Sequence, residues 1–501
     1  MSESKTPPAP HAPLDHATIR TIIVGILLAS FLSALEQTIV GPALPTIGRT
    51  LADVENLSWV MTSYLLAATA VTPLFGKLSD IYGRRAMMLI SIVIFIAGSI
   101  ACALAPTMGT LIAARVLQGI GGGGILPLTH TIIGDLVSPR ERPRYQSYTA
   151  IMFMIASIVG PMLGGVLTDY VHWTLIFWIN VPLGIVALVL TDRTLLRLPR
   201  NDRPHKLDLL GATLMVAAAL SLMLAMSWGG TRYGWVSQEI LGLVAASVVL
   251  WLAFAWRLKT APEPFIPPEV LREPIVLAVT ISAFCSVGVI IGLSTFLPLY
   301  LELVLGMSPS GSGTSLIVFL AAATVGSFCA GRLMNRLTHY KLVPVGGLVM
   351  GIVMLAGFAL KPAGLSLFEV AVLLSIGGAG LGVMYPVTTT IVQNVVAPHQ
   401  LGTATGALNF FRLLGGSLIV AAFGAIVLGG ASARGHGLAL DLLGGAAQTG
   451  ADLASSFRWA FAAGALFLVI GLIAVLLIEE RPLRGPDKPA MVPPVPGGTA
   501  T

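Results

Sequence analysis

Two ionisable residues stand where water should not reach. Glu36 lies inside one long apolar run and Arg115 inside another. A charge in mid-membrane costs roughly 2.5–3.5 kcal/mol on insertion scales, so its presence needs a reason. Counting from the outer ends of the two runs at 1.5 Å per residue places Glu36 about 12 Å deep and Arg115 about 8 Å deep. At similar depth the two can pair. One reading is a static ion pair holding two helices together. The other is a proton site. Burial and a nearby guanidinium act on a carboxylate in opposite senses, so a motion that alters both alters its hold on a proton. His130 is either a second proton carrier or a hydrogen-bonded packing residue. Arg412, just after Asn409-Phe410-Phe411, either faces a cavity or caps its cytoplasmic mouth.

Other chemistries find no support. The chain has no HExxH, no GxSxG and no Cys/His cluster, which argues against an enzyme. Gly121–Gly124 has no Lys-Ser/Thr after it and reads as a close-packing helix face. Cys102, Cys285 and Cys329 lack metal-ligand or redox spacing and read as small buried packing residues. No cofactor is expected, only protons as a coupling ion.

The elements that must position these residues follow from composition. Apolar residues make up 55% of the 501, charged residues 10%, and the mean hydropathy is +0.87. A soluble globule carries about 25% charge, so this surface cannot be kept in water. Spans of roughly 20 apolar residues fall at about 20–44, 57–75, 86–105, 110–133, 146–168, 173–191, 208–228, 237–256, 275–298, 313–331, 342–360, 366–390, 404–429 and 457–478. With the N-terminus inside, 22 of the 29 Lys and Arg residues fall on the cytoplasmic side and 4 on the other. By the positive-inside rule both termini are cytoplasmic. The expected organisation is a Pro- and Ala-rich disordered tail (1–17), six spans (18–198), two inserted spans (199–260), six more (261–480) and a second disordered tail (481–501). The stretch near 430–456 has room for a short amphipathic helix. The basic residues form no single face for nucleic acid.

The two sets of six spans look like copies. A shift of 259 lays Gly119, Gly121, Pro127, Thr129, Thr131, Ile132, Val137 and Pro139 on Gly378, Gly380, Pro386, Thr388, Thr390, Ile391, Val396 and Pro398. A shift of 255 lays Gly76–Asp80 on Gly331–Asn335. Parallel halves related by an axis along the membrane normal are a transporter plan, with the substrate site at mid-membrane between them.

Residues 76–85 read Gly-Lys-Leu-Ser-Asp-Ile-Tyr-Gly-Arg-Arg, in the expected loop after the second span. A basic anchor explains Arg84 and Arg85 but not Asp80 or the glycines. The string resembles the signature loop of the major facilitator superfamily. That resemblance implies a breakable cytoplasmic latch of Gly76, Asp80, Gly83 and Arg84 working with Asp135. Asn335 replaces the acid in the second copy, so the latch is expected on one side only. Leu111–Gly121, with Arg115, is similar to the superfamily's embedded-arginine motif. Gly160-Pro161-Met162-Leu163-Gly164-Gly165 resembles its antiporter motif, with Ala156 at a usual glycine. Leu35-Glu36-Gln37-Thr38-Ile39-Val40, Phe177–Gly184 and Gly402–Gly416 resemble the fourteen-span drug:H⁺ antiporters, which usually have Asp where Glu36 stands. The resemblance covers about residues 20–480.

It implies an all-α major facilitator fold of fourteen transmembrane helices, two six-helix halves plus two inserted helices. It implies proton-coupled export, by alternating access, of lipophilic or amphipathic, often cationic, compounds. Gln37, Trp178, Tyr300, Tyr385, Asn409, Phe410 and Arg412 are candidates for the substrate cavity. A dedicated exporter of a lipid, siderophore or metabolite fits the same residues, and a non-transporting sensor is the remoter alternative. The expected setting is the bacterial inner membrane, with a small-molecule substrate, surrounding lipid and action as a monomer.

Overall fold

Hydrocarbon offers backbone amides no hydrogen-bond partners, so a chain this apolar must close its hydrogen bonds within helices. The computed structural model describes residues 16–53, 56–196, 207–230, 232–337, 340–432 and 450–481. Among them are 14 helices long and apolar enough to span a membrane. We number them α1 (His16–Ile39), α2 (Leu57–Tyr82), α3 (Arg84–Ala103), α4 (Met108–Leu136), α5 (Arg142–Tyr170), α6 (Asn180–Leu195), α7 (Leu209–Trp228), α8 (Gln238–Thr260), α9 (Pro274–Leu303), α10 (Pro309–Arg336), α11 (Leu342–Leu360), α12 (Leu367–Val395), α13 (Leu401–Ser432) and α14 (Gly450–Leu476). Short helical turns at Gly41–Ala43, Leu44–Thr50 and Leu175–Trp178 extend α1 and lead into α6. Of the expected tails, His16 and Ala17 already belong to α1 and the remainder, apart from Arg481, lies outside the described residues. So does most of the expected helix near 430–456, whose ends are taken up by α13 and α14.

One expectation needs correcting. The Gly76–Arg85 string is not a loop: α2 runs on through Tyr82, and α3 starts at Arg84. The whole turn is Gly83, with φ +91°. Only glycine takes that conformation without strain, which is why a helix can reverse there in one residue.

The duplication is visible in the packing. In the first half α4 packs on α2 and α3, and α1 packs on α5 and α6. In the second half α12 packs on α10 and α11, and α9 packs on α13 and α14 in the same way. Both sequence shifts reappear as contacts. A Cβ on Gly119 would meet the Tyr64 carbonyl and one on Gly123 the Ala68 carbonyl. In the second half, Gly378 lies against the carbonyl of Phe319 and Gly382 against that of Ala323. The Gly121–Gly124 run is thus a packing face, with α2 on one side and α3 on the other. The halves meet chiefly along two seams, α2 with α13 and α5 with α10 and α12. The inserted α7 lies over the first of these seams, where Leu66 of α2, Met223 of α7 and Phe410 and Leu414 of α13 share one apolar cluster. Of the cysteines, Cys102 and Cys285 are buried as expected, but Cys329 is exposed on α10.

Gly382→Val would drive its side chain into the Ala323 carbonyl, and overpacking of this kind costs about 1–3 kcal/mol. Thermal unfolding of the purified protein in detergent should begin several degrees lower. Gly165→Ala, with nothing within 4 Å of an added Cβ, should leave the transition unchanged or slightly raised.

Candidate functional site

Glu36 and Arg115 meet. Arg115 Nη1 donates to Glu36 Oε1, and both side chains are fully buried. Neutral groups brace the pair. Asn180 Nδ2 donates to Glu36 Oε2 at 2.5 Å. Arg115 also donates from Nε to the Val60 carbonyl at 2.8 Å and from Nη1 to Gln118 Oε1 at 2.6 Å. Gln118 is held in turn by Ser99, 2.8 Å away. The guanidinium stacks on the Tyr64 ring, 4.6 Å from its centroid. Such bonds offset much of the desolvation cost of a buried ion pair, although Arg115 Nη2 and Asn180 Oδ1 find no partner among the described residues. Here α1, α2, α4 and α6 all contribute.

Beside this pair, between the halves, lies a cavity of about 270 Å³. Ser33, Gln37 and Tyr64 form part of its first-half wall, and Tyr385, Asn409 and Arg412 part of its second-half wall. Glu36 and Arg115 do not line it. Tyr64 separates them from it, with its hydroxyl 3.5 Å from Ser33 Oγ. His130 lines the cavity, with Nε2 3.4 Å from Thr149 Oγ1. Arg412 faces the cavity rather than capping its mouth. Its Nη2 donates to the Tyr385 carbonyl at 2.9 Å and to Thr388 and Thr389 hydroxyls at 2.5 and 2.8 Å. The rest of the wall is largely apolar, and no described lining residue is a carboxylate.

Three expected cavity aromatics are elsewhere. Trp178 ends the short turn before α6, is 37% exposed and does not line the cavity. Tyr300 is buried among Phe358, Phe457 and Phe461, its hydroxyl donating to the Pro362 carbonyl at 2.9 Å. Phe410 points away from the cavity into the α7–α8 contact, 6.2 Å from Trp251. Aromatic type alone does not tell which way a helix face turns.

The latch residues come together at the end that carries Arg84, Arg140, Arg142 and Arg336. Arg84 Nε donates to Asp135 Oδ2 at 2.7 Å and its Nη1 to Asp80 Oδ1 at 2.5 Å. Asp80 also accepts from the backbone amides of Gly402 and Thr403 at 3.0 and 2.7 Å, and from the Thr403 hydroxyl at 2.6 Å. Those amides open α13, where a carboxylate suits both the free N–H groups and the helix dipole. Gly76 and Gly402 allow the helices to touch backbone to backbone. At the second seam, Arg142 Nη1 and Gln146 Nε2 donate to the carbonyl and side chain of Gln393, at 2.9 and 3.1 Å. Gln393 donates across to the His130 carbonyl at 3.0 Å. The cavity is therefore closed towards the basic end. The side chain of Asn335 lies outside the described residues.

In the antiporter-like string, Gly160 and Gly164 let α5 pack onto Thr38 and Ile39 at the end of α1. Thr38 Oγ1 donates to the Ala156 carbonyl at 2.8 Å, so the departure from glycine is accommodated. Pro161 is exposed and Gly165 faces open space. Asn180, Gln118 and Gln393 were not singled out from the sequence. Each is an amide in an apolar helix, and that pattern is the available clue.

A family profile described as Major Facilitator Superfamily matches residues 26–420. The Mycobacterium tuberculosis (strain CDC 1551 / Oshkosh) protein named uncharacterized MFS-type transporter MT1926 is 34% identical over 490 residues, 92% of this chain and 69% of that one. Multidrug transporter protein MdtP of Bacillus subtilis (strain 168) is 33% identical, over 84% of this chain and 77% of its own. Multidrug resistance protein 3 of the same organism is 32% identical, over 82% and 80%. Among solved structures, the human organic anion transporter MFSD10 gives a TM-score of 0.63 at 16% identity, covering 91% of this chain and 99% of that one. A bacterial homologue of the iron transporter ferroportin in an outward-facing state also gives 0.63, at 12% identity, covering 91% and 98%. At such identities the two structures show a shared fold only.

Asp80→Asn leaves one carbonyl oxygen where two carboxylate oxygens now hold Arg84 and α13. Combined with Thr405→Cys, a buried position beside Gln393, it should raise labelling by a water-soluble maleimide severalfold over Thr405→Cys alone. Equal labelling rates would show that Asp80 does not hold this end shut.

Proposed function

The chain belongs to the major facilitator superfamily, and from that membership we propose that it is a proton-coupled antiporter exporting lipophilic or amphipathic compounds by alternating access. The observation that carries the reading is the fully buried Glu36–Arg115 pair, one aromatic ring away from the central cavity. Protonation of Glu36 removes its charge and leaves Arg115 buried without a counter-ion. The packing of α1, α2, α4 and α6, which meet at this pair within the first half, cannot stay indifferent to that change. The relatives named as multidrug transporters favour a broad, apolar cargo, and so does the largely apolar wall. A cation finds no counter-charge in that wall, so the cationic expectation is not carried forward.

The Lys and Arg asymmetry favours a cytoplasmic position for the latched end in a bacterial inner membrane, so this form is closed towards the cytoplasm. Glu36 takes its proton from outside, the halves rock, and cargo binding on the inner side displaces the proton. One charge moving down the potential supplies about 2.3 kcal/mol per 100 mV, enough for more than tenfold accumulation. A monomer with two fused halves suffices.

The test is proton movement in energised inverted vesicles, read with a pH-sensitive dye as amphiphiles are added one at a time. Wild-type protein should release protons on adding substrate, and Glu36→Gln should not. Unchanged substrate-driven proton movement in Glu36→Gln overturns the coupling role. Asn180→Leu, which strips one hydrogen bond but keeps the carboxylate, should weaken the response and shift its pH dependence.

A further inference from the structure

The two buried arginines near the cavity are satisfied in different ways. Arg115 has a carboxylate. Arg412, 1% exposed, makes no ion pair among the described residues. Its bonds go to neutral oxygens: the Tyr385 carbonyl, the hydroxyls of Thr388 and Thr389, and Asn409 Oδ1 at 3.1 Å. Its guanidinium carbon sits over the Tyr385 ring, 4.1 Å from the centroid. These groups satisfy donors without cancelling the charge, and the Nε still has no partner. A buried charge with no counter-charge is among the most expensive features a membrane protein can keep.

His130 also packs against the Tyr385 ring, its centroid 5.5 Å from that of Tyr385. It too is fully buried and lines the cavity, and its Nδ1 has no partner among the described residues. A fixed cation and an imidazole, each with an unpartnered nitrogen, thus flank Tyr385 at a cavity wall whose described residues include no carboxylate. The remaining wall includes Leu65, Phe153, Ile290 and Leu381.

The geometry points to a seat for an anionic amphiphile. The acidic head, a carboxylate or an equivalent oxyanion, supplies the missing counter-charge to Arg412 and accepts from His130, while the apolar body rests against the aliphatic wall. This deepens the transport reading by naming the cargo's charge, and it rests on that reading for the cavity's role. A free anion and an anionic lipid headgroup carry the same chemistry.

Binding is measured at equilibrium, with no gradient, by titrating the protein in phosphatidylcholine nanodiscs with three probes of one shape: 2-naphthoate, 2-naphthalenemethanol and 2-naphthylmethylammonium. A charge-assisted contact of this kind is worth about a factor of ten in affinity. The naphthoate should bind about that much more tightly than the alcohol, and the ammonium more weakly than either. Arg412→Gln should abolish the preference and leave alcohol binding intact, whereas Arg412→Lys should keep most of it. If the ammonium binds as tightly as the naphthoate, or if Arg412→Gln keeps the preference, the seat is refuted. Should Arg412→Gln fail to fold, the wild-type order and the Lys variant decide. Nanodiscs containing phosphatidylglycerol separate the two sources: weakened naphthoate binding identifies a lipid headgroup, unchanged binding a free anion. A failure of substrate-driven proton movement would sink the antiport reading and leave this result standing.

Discussion

A charge taken out of water has to find compensation inside the protein, and that requirement organises the core of this molecule. In the first half it is met within the protein by a carboxylate and a guanidinium, braced by an amide from α6, an amide from α4 and a backbone carbonyl from α2. Four helices are drawn to one point, and close by, glycines bring α5 onto the end of α1. In the second half an arginine at the cavity wall is met by neutral oxygens alone. The cavity lies between a settled charge and an unsettled one.

The same economy governs the closed end. Asp80 joins Arg84 of its own half to the first amides of α13 in the other. Nothing apolar has to be pulled into water to undo this contact, only a carboxylate withdrawn from a helix terminus. Gln393 serves the second seam with one hydrogen bond from the Arg142 guanidinium and one from the Gln146 amide, and no ion pair of its own. Contacts of this type are strong enough to hold a state and weak enough to let it go.

The fold was legible because the bilayer is a severe filter. Long apolar runs admit one local structure, and each of the fourteen spans read from the sequence coincides with a spanning helix, overhanging its ends by two residues at most. The Glu36–Arg115 pair was legible for the same reason, since isolated charges stand out in such runs. Neutral polar residues do not. Asn180 and Gln118 were in plain view within recognised strings, yet many amides in membrane helices serve only to pack. Direction was the other blind spot: Tyr385 lines the cavity while Tyr300 is sealed among phenylalanines, and composition near the two is alike. Helix ends were read too short because α2 stays helical past the apolar stretch, and only the single glycine with positive φ stops it.

That glycine has a mechanical counterpart in the second copy. The α2–α3 corner has one residue, whereas five positions (337–341) separate α10 from α11. The extra four account for the change of shift from 255 to 259 between the two repeats. A one-residue corner has no slack, so a displacement of α2 is transmitted to α3 with little loss. The frame is built twice, and in the first copy α2 and α3 must move as one lever.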